Sequence, residues 1–209
     1  TVIRELIKKV PSDSRESLVL HNLLATQLLE MNQATEVLAT VEHVLAKAPP
    51  NSSERLAAML ARQQALLASG QVDAALAALE EIVRINADNA LVLNNLAYLL
   101  VDSGNRPAEA LPYAERAREL AGSDPSVLDT VGWVYMRNGR HGQAEAALKE
   151  ALAQNPFSAI ANYHLGLLYQ AMGRNPAARI ALQRALEYAA REKNDELQRK
   201  AQEALSELH

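Results

Sequence analysis

Residues 125–156 decide the fold of this chain and read PSVLDTVGWVYMRNGRHGQAEAALKEALAQNP. In the first half, apolar or small side chains recur at relative positions 0, 3, 4 and 7, the spacing of one helix face; they are Leu128, Val131, Gly132 and Tyr135. Gly139 then ends this helix and Pro156 closes the stretch. Between them a second helix face is formed by Ala144, Leu148 and Ala151. The stretch therefore predicts two helices joined at a glycine turn.

The same pattern returns 34 residues further along the chain. The equivalent positions hold Asn162, Leu165, Gly166, Tyr169, Gly173, Ala178, Leu182 and Ala185. A fixed period of this length is typical of stacked repeat arrays, in which each repeat is one supersecondary unit. The recurrence therefore outweighs any single motif.

Spacing and residue types together resemble the tetratricopeptide repeat (TPR) family, in its bacterial form. Small residues at Gly132 and Gly166 would let the partner helix approach closely, and Tyr135 and Tyr169 would fill the space between neighbouring repeats. Gly139 and the glycine one period later occupy positions where a helix ends in a left-handed conformation. The resemblance implies an all-α fold: a right-handed α-solenoid, or superhelix, of antiparallel helix pairs.

Extended over the whole chain, the repeat pattern predicts one continuous solenoid. The segments are the second helix of an incomplete preceding repeat (1–11), two TPR-like repeats (12–51 and 52–89), three TPR repeats (90–124, 125–158 and 159–192) and a C-terminal capping helix (193–209). The register of the second segment stays open, because Arg62 and Gln63 fall where an apolar and a small residue are expected. Further repeats are expected before Thr1, in a number that the sequence does not give.

Composition limits the classes of function. The 209 residues carry a net charge of −4, and Lys and Arg are scattered among carboxylates, so no nucleic-acid partner is expected. The absence of cysteine excludes disulfides, thiol catalysis and thiolate metal sites. No apolar run approaches the roughly 20 residues that cross a bilayer. A bacterial periplasm or envelope and the cytoplasm are both compatible with these features.

The sequence contains none of the common catalytic motifs. A helical His-Glu-x-x-His, a glycine-rich phosphate loop and Gly-x-Ser-x-Gly are all missing. The five histidines are dispersed along the chain, and no metal or other cofactor is expected. We therefore predict a protein that is not an enzyme.

The resemblance also implies where a partner would bind. In TPR proteins the first helices of the repeats line a concave groove, and the second, fifth, ninth and twelfth positions of each repeat point into it. Transferred to this sequence, with His164 one position aside, the groove residues are Asn94, Tyr98, Asp129, Trp133, Met136, Tyr163, His164, Leu167 and Gln170. Asp129 and the absence of Lys or Arg at these positions disfavour a clamp for a terminal carboxylate.

Trp133 is the only tryptophan and has two interpretations. It adjoins the packing face, so it could anchor a bound peptide or helix. Alternatively, it packs against the neighbouring helix and is half-buried.

The leading functional hypothesis is a scaffold that binds a segment of another protein in the groove, within a bacterial envelope, secretion or exopolysaccharide assembly. The alternative is a spacer or oligomerisation array in a longer protein, with homo-oligomers forming through the apolar residues near Thr1.

Overall fold

The computed structural model describes residues 2–208, and these residues form helices joined by short turns. The helices are α1 (Val2–Ile7), α2 (Arg15–Glu30), α3 (Ala34–Lys47), α4 (Ser53–Ala68), α5 (Val72–Ile85), α6 (Ala90–Asp102), α7 (Pro107–Ala121), α8 (Pro125–Arg137), α9 (His141–Gln154), α10 (Ala159–Ala171), α11 (Asn175–Arg191) and α12 (Asp195–Ser206). The all-α fold class is confirmed. The chain divides into two compact units, unit 1 (Thr1–Ala87) and unit 2 (Asp88–His209).

Unit 1 consists of two helical hairpins and a short leading helix. Helix α2 pairs with α3, α4 pairs with α5, and α2 also lies beside α4. Val37, Val41 and Val44 on α3 are fully buried in the core, although the repeat pattern has small residues at these positions. Helix α1 is shorter than the predicted stripe, because residues 8–10 form a turn and a bend before Pro11; Thr1 lies outside the described residues.

Unit 2 consists of three hairpins and a final helix. The pairs are α6 with α7, α8 with α9, and α10 with α11. The first helices α6, α8 and α10 lie side by side, and α12 packs against α10 and α11. Leu197 and Ala204 of α12, with Leu208 just beyond its end, cover apolar residues of that last hairpin. The face of α12 that the sequence predicts to seal the unit is therefore buried against it.

Close approach of paired helices explains the glycines at the centre of α8 and α10. A Cβ atom on Gly132 would lie 2.6 Å from Leu148 Cγ of α9, and one on Gly166 would lie 2.6 Å from Leu182 Cγ of α11. Contacts this short do not occur between real carbon atoms, so only glycine fits without displacing the partner leucine. The predicted reason for glycine at these positions is confirmed.

One turn differs from the repeat pattern. Gly139 and Gly173 have φ values of 72° and 70°, as predicted for helix ends, and Asn32 takes the same region with φ 55°. Between α6 and α7, however, Asn105 rather than the on-period Gly104 has a positive φ, of 50°. The loop is one residue longer here, and the left-handed conformation moves to the residue after glycine, which Asn tolerates. The repeat boundaries given above stay a prediction.

Candidate functional site

All nine predicted groove residues lie in unit 2, on the adjacent first helices. Helix α6 carries Asn94 and Tyr98, α8 carries Asp129, Trp133 and Met136, and α10 carries the other four. Within each helix a spacing of three or four residues keeps these side chains on one side, apart from His164, which directly follows Tyr163. The structure therefore brings the predicted residues together, but it divides them into two layers.

The lower layer is buried and polar. Asn94 is 9% exposed, Asp129 5%, Trp133 6% and His164 1%. The upper layer is partly exposed and consists of Tyr98, Met136, Tyr163, Leu167 and Gln170. We refer to these five residues as the first-helix face. Five of the nine predicted residues are therefore accessible at the surface, and the other four pack beneath them.

Asp129 and His164 form a buried pair across α8 and α10. His164 Nδ1 lies 2.9 Å from Asp129 Oδ1 and 3.0 Å from Oδ2. Because a carboxylate is an acceptor, the imidazole must donate through Nδ1, which fixes its tautomer and orientation. This pair was not predicted from the sequence, although a carboxylate and a histidine at adjoining repeat positions could have signalled it.

Trp133 is part of the packing between helices. Its ring stacks on His164 with centroids 4.4 Å apart and an interplanar angle of 10°, and the Arg137 guanidinium lies 5.2 Å from its ring centroid. The side chain is more buried than the alternative of a half-buried residue supposed. Trp133 therefore holds the His164 imidazole in place and does not stand free on the surface.

Two polar atoms in the lower layer have no hydrogen-bond partner among residues 2–208. They are Asn94 Oδ1, an acceptor, and Trp133 Nε1, a donor. Buried polar atoms normally have a partner, since leaving one unpaired costs about 1–3 kcal/mol. Unpaired donors and acceptors in native proteins concentrate where water or a ligand supplies the missing bond.

Two tyrosines form the centre of the first-helix face. The centroids of the Tyr98 and Tyr163 rings lie 6.4 Å and 5.9 Å from that of His164. Burial, together with the nearby Asp102 and Asp129 charges, raises the pKa of the Tyr98 phenol. Burial also raises the pKa of Tyr163, against an opposing effect of Lys200. Both phenols are therefore neutral donors at physiological pH.

The final helix extends the same surface, which the sequence did not predict. Gln170 Nε2 donates to Glu207 Oε2 over 3.4 Å, and the charge of Lys200 acts on Tyr163. Glu196, Lys200, Glu203 and Glu207 follow one another at spacings of three and four, so they share one side of α12. This spacing could have signalled a polar surface beside the groove, but it is equally typical of the solvent-exposed side of a capping helix.

Within residues 2–208, no group of three or more His, Cys, Asp or Glu side chains could hold a metal ion. Over the same residues, no helix is both long and apolar enough to cross a membrane.

Comparison with known proteins places the chain among repeat proteins. The tetratricopeptide repeat family model matches residues 55–125 and 132–196. A TPR repeat-containing protein of Pseudomonas aeruginosa is 36% identical over 108 residues, which are 52% of this chain and 17% of that protein. This chain therefore spans less than a fifth of that relative.

Solved structures share the fold at low identity. A thermophilic TPR protein of Thermus thermophilus is 24% identical, with a TM-score of 0.71 over 90% of this chain and 98% of its own. YrrB, described as a TPR protein with an unusual peptide-binding site, is 20% identical, with a TM-score of 0.63 over 97% of this chain and 98% of its own. From the family match and the helix-pair architecture we conclude that the chain belongs to the tetratricopeptide repeat family.

Proposed function

We propose that the first-helix face of unit 2 binds a polypeptide segment of a partner protein. TPR domains are in general scaffolds for protein–protein interaction, and their fold implies protein partners. The site on this chain, and the kind of segment it holds, are our inference. The observation that carries it is a partly exposed aromatic and apolar strip that rests on a buried polar layer.

The composition of the first-helix face suits a binding surface. Tyr98 and Tyr163 offer large rings with a donor hydroxyl, and Met136 and Leu167 offer adaptable apolar contact. Residues that dominate binding energy are commonly aromatic and surrounded by contacts that exclude water. An extended strand or an amphipathic helix could lie along such a strip.

The buried layer would keep this surface rigid. The bond between His164 and Asp129 links α8 to α10, and the Trp133 stack adds a second link between the same helices. A preformed site loses less conformational entropy on binding than a mobile one. That another protein of this fold has a peptide-binding site supports the proposal by analogy only.

A second candidate is an oligomerisation array. Val2 is 77% exposed and Leu6 42% exposed on α1, which leaves an apolar stripe at the surface of unit 1. Copies of the chain could pair through that stripe. An envelope, secretion or exopolysaccharide setting is likewise a proposal, since the match to the bacterial relative covers only part of both proteins.

A capture experiment with matched variants tests the proposal. The bait is the purified chain, incubated with bacterial lysate and envelope fractions, beside Met136→Glu/Leu167→Glu in the first-helix face and Leu120→Glu/Ile180→Glu on the second helices α7 and α11. Leu120 and Ile180 are 40% and 54% exposed, so both double variants place two charges on exposed apolar positions. Circular dichroism confirms that each bait is folded.

The proposal predicts partners that the parent and the α7/α11 variant retain and the first-helix-face variant loses. Equal recovery by all three baits, or loss only with the α7/α11 variant, would contradict it. Sedimentation of the parent and of Val2→Glu/Leu6→Glu tests the oligomerisation array separately.

A further inference from the structure

We propose that the segment bound at the first-helix face is basic, with a Lys or Arg side chain next to an apolar one. The cation would lie against the two tyrosine rings, among the carboxylates that border them. This inference rests on the proposed function and adds the chemistry of the partner to it. It is carried by the charges around the face and by an unpaired acceptor beneath it.

Carboxylates come to the tyrosines from both ends of the face. Asp102 lies one turn after Tyr98 on α6, and its charge and hydrogen bonding contribute to the raised pKa of that phenol. Glu196 of α12 acts on the same phenol. Glu203 and Glu207 of α12 act on Tyr163, as does Asp102. Helix α12 packs against α10, and Gln170 of the face donates to Glu207 over 3.4 Å, so this end of α12 borders the first-helix face.

The cations in this region are already engaged. Lys200 Nζ lies 2.9 Å from Glu196, and Arg199 lies 2.7 Å from Glu203. Arg137 donates to Asn105 Oδ1 over 2.8 Å and lies over the Trp133 ring. Asp102 and Glu207 form no ion pair within residues 2–208; Asp102 influences Lys200 at longer range, since its charge, after the hydrogen bond to Glu196, helps to raise the pKa of that lysine.

A second observation points to a ligand that donates hydrogen bonds. Asn94 lies one turn before Tyr98 on the same side of α6, is nine-tenths buried, and keeps its Oδ1 acceptor unpaired. An ammonium or guanidinium group carries several N–H donors and no acceptor, so it complements an amide oxygen, phenol rings and carboxylates together. An anionic segment would meet Asp102 and Glu207, which no ion pair within residues 2–208 compensates, at a cost in affinity.

Selection from a library of random displayed 12-residue peptides tests the inference. The baits are the whole chain, Asp102→Asn/Glu203→Gln at the first-helix face, and the matched control Asp88→Asn/Glu187→Gln. The control removes one Asp and one Glu charge from positions paired with Arg116 and Arg191, outside the face. Net charge therefore changes equally in the two variants, and only its position differs.

We expect enriched peptides that carry Lys or Arg within a few positions of an apolar residue. Synthetic copies should bind the Asp102→Asn/Glu203→Gln variant about tenfold more weakly than the parent, since charge-assisted contacts are lost. They should bind the control as they bind the parent. Affinity for the parent should also fall as salt is raised.

The remaining outcomes separate the two claims. The selection could instead enrich acidic peptides or peptides without basic residues. If these bind the parent but not Met136→Glu/Leu167→Glu, the claim of a basic partner is wrong and the claim of a binding face stands. If both charge variants weaken the binding of basic peptides equally, the peptides respond only to net charge, and the claim of a basic partner at this face is wrong. No enrichment, or peptides insensitive to every first-helix-face variant, would overturn both claims.

Discussion

At the scale of single residues, the Asp129–His164 pair carries the largest predicted effect. Its side chains are 7% and 1% exposed, so removing one partner leaves a polar group buried without compensation. We predict that His164→Ala lowers the free energy of unfolding by about 3–5 kcal/mol. Urea denaturation followed by circular dichroism measures this change.

Replacing both partners provides the control for this prediction. Asp129→Leu/His164→Phe removes both polar groups while keeping volume and an aromatic ring against Trp133. We expect it to be considerably more stable than His164→Ala, because a hydrogen-bonded buried polar pair can be exchanged for apolar groups of similar shape at little net cost. Additive losses in the double variant would mean that the two side chains do not interact in solution.

Gly132 is the second residue at which a small change has a large predicted effect. In Gly132→Ala the new methyl group would meet Leu148 Cγ at 2.6 Å and its backbone nitrogen at 3.3 Å. We predict a loss of about 1–3 kcal/mol from overpacking. Gly142→Ala in the first turn of α9 is the control, since a Cβ there meets nothing within 4 Å and alanine is a better helix former than glycine. Thermal melting should move the two variants in opposite directions.

At the scale of elements, the hairpin of α2 and α3 has a predictable response to acid. The rings of His21 and His43 stack with centroids 4.0 Å apart, and His21 Nδ1 donates to the Ser17 carbonyl over 2.7 Å. Burial is the main cause that lowers the pKa of His21 from its ordinary 6.5, opposed by that hydrogen bond and reinforced by the His43 charge. The folded chain therefore takes up this proton at lower pH than the unfolded chain does.

Because the unfolded state binds the proton first, stability is complete above pH 6.5 and falls as the pH drops below it. We predict that the urea midpoint decreases between pH 8 and about 5.5, above the range where carboxylates titrate. His21→Gln should reduce this decrease, whereas His141→Gln on α9 should leave it unchanged. A decrease of the same size in all three proteins would assign the effect to other groups.

The helices themselves were largely predictable from the sequence. The turns at Gly139 and Gly173 and the apolar spacing placed the pairs α8/α9 and α10/α11, because helix ends depend on local capping and turn chemistry. Asp124, for example, accepts from Ser126 N at 2.7 Å at the start of α8. The turn at Asn105 was not predictable from the period, since with one extra residue in the loop either Gly104 or Asn105 could take the left-handed conformation.

At the scale of the whole molecule, the sequence predicted that the nine candidate residues lie close together, but not which of them are buried. Repeat positions brought nine residues to one region of unit 2, yet they could not tell which side chains neighbouring helices cover. His164 stacks on Trp133 and bonds to Asp129, and together with Asn94 these four expected surface residues form a buried layer. Side-chain pairing between neighbouring repeats depends on the distance between their helices, which cannot be derived from a single sequence.

Photo-crosslinking measures most directly whether the first-helix face is where a partner binds. Benzoylphenylalanine is introduced at position 136 on α8 or, as the control, at position 120 on α7, and each protein is irradiated in the same bacterial lysate and envelope fractions. A partner bound at the first-helix face predicts protein adducts several-fold more abundant at position 136 than at position 120. Adducts that form equally at both positions, or mainly at position 120, would contradict it.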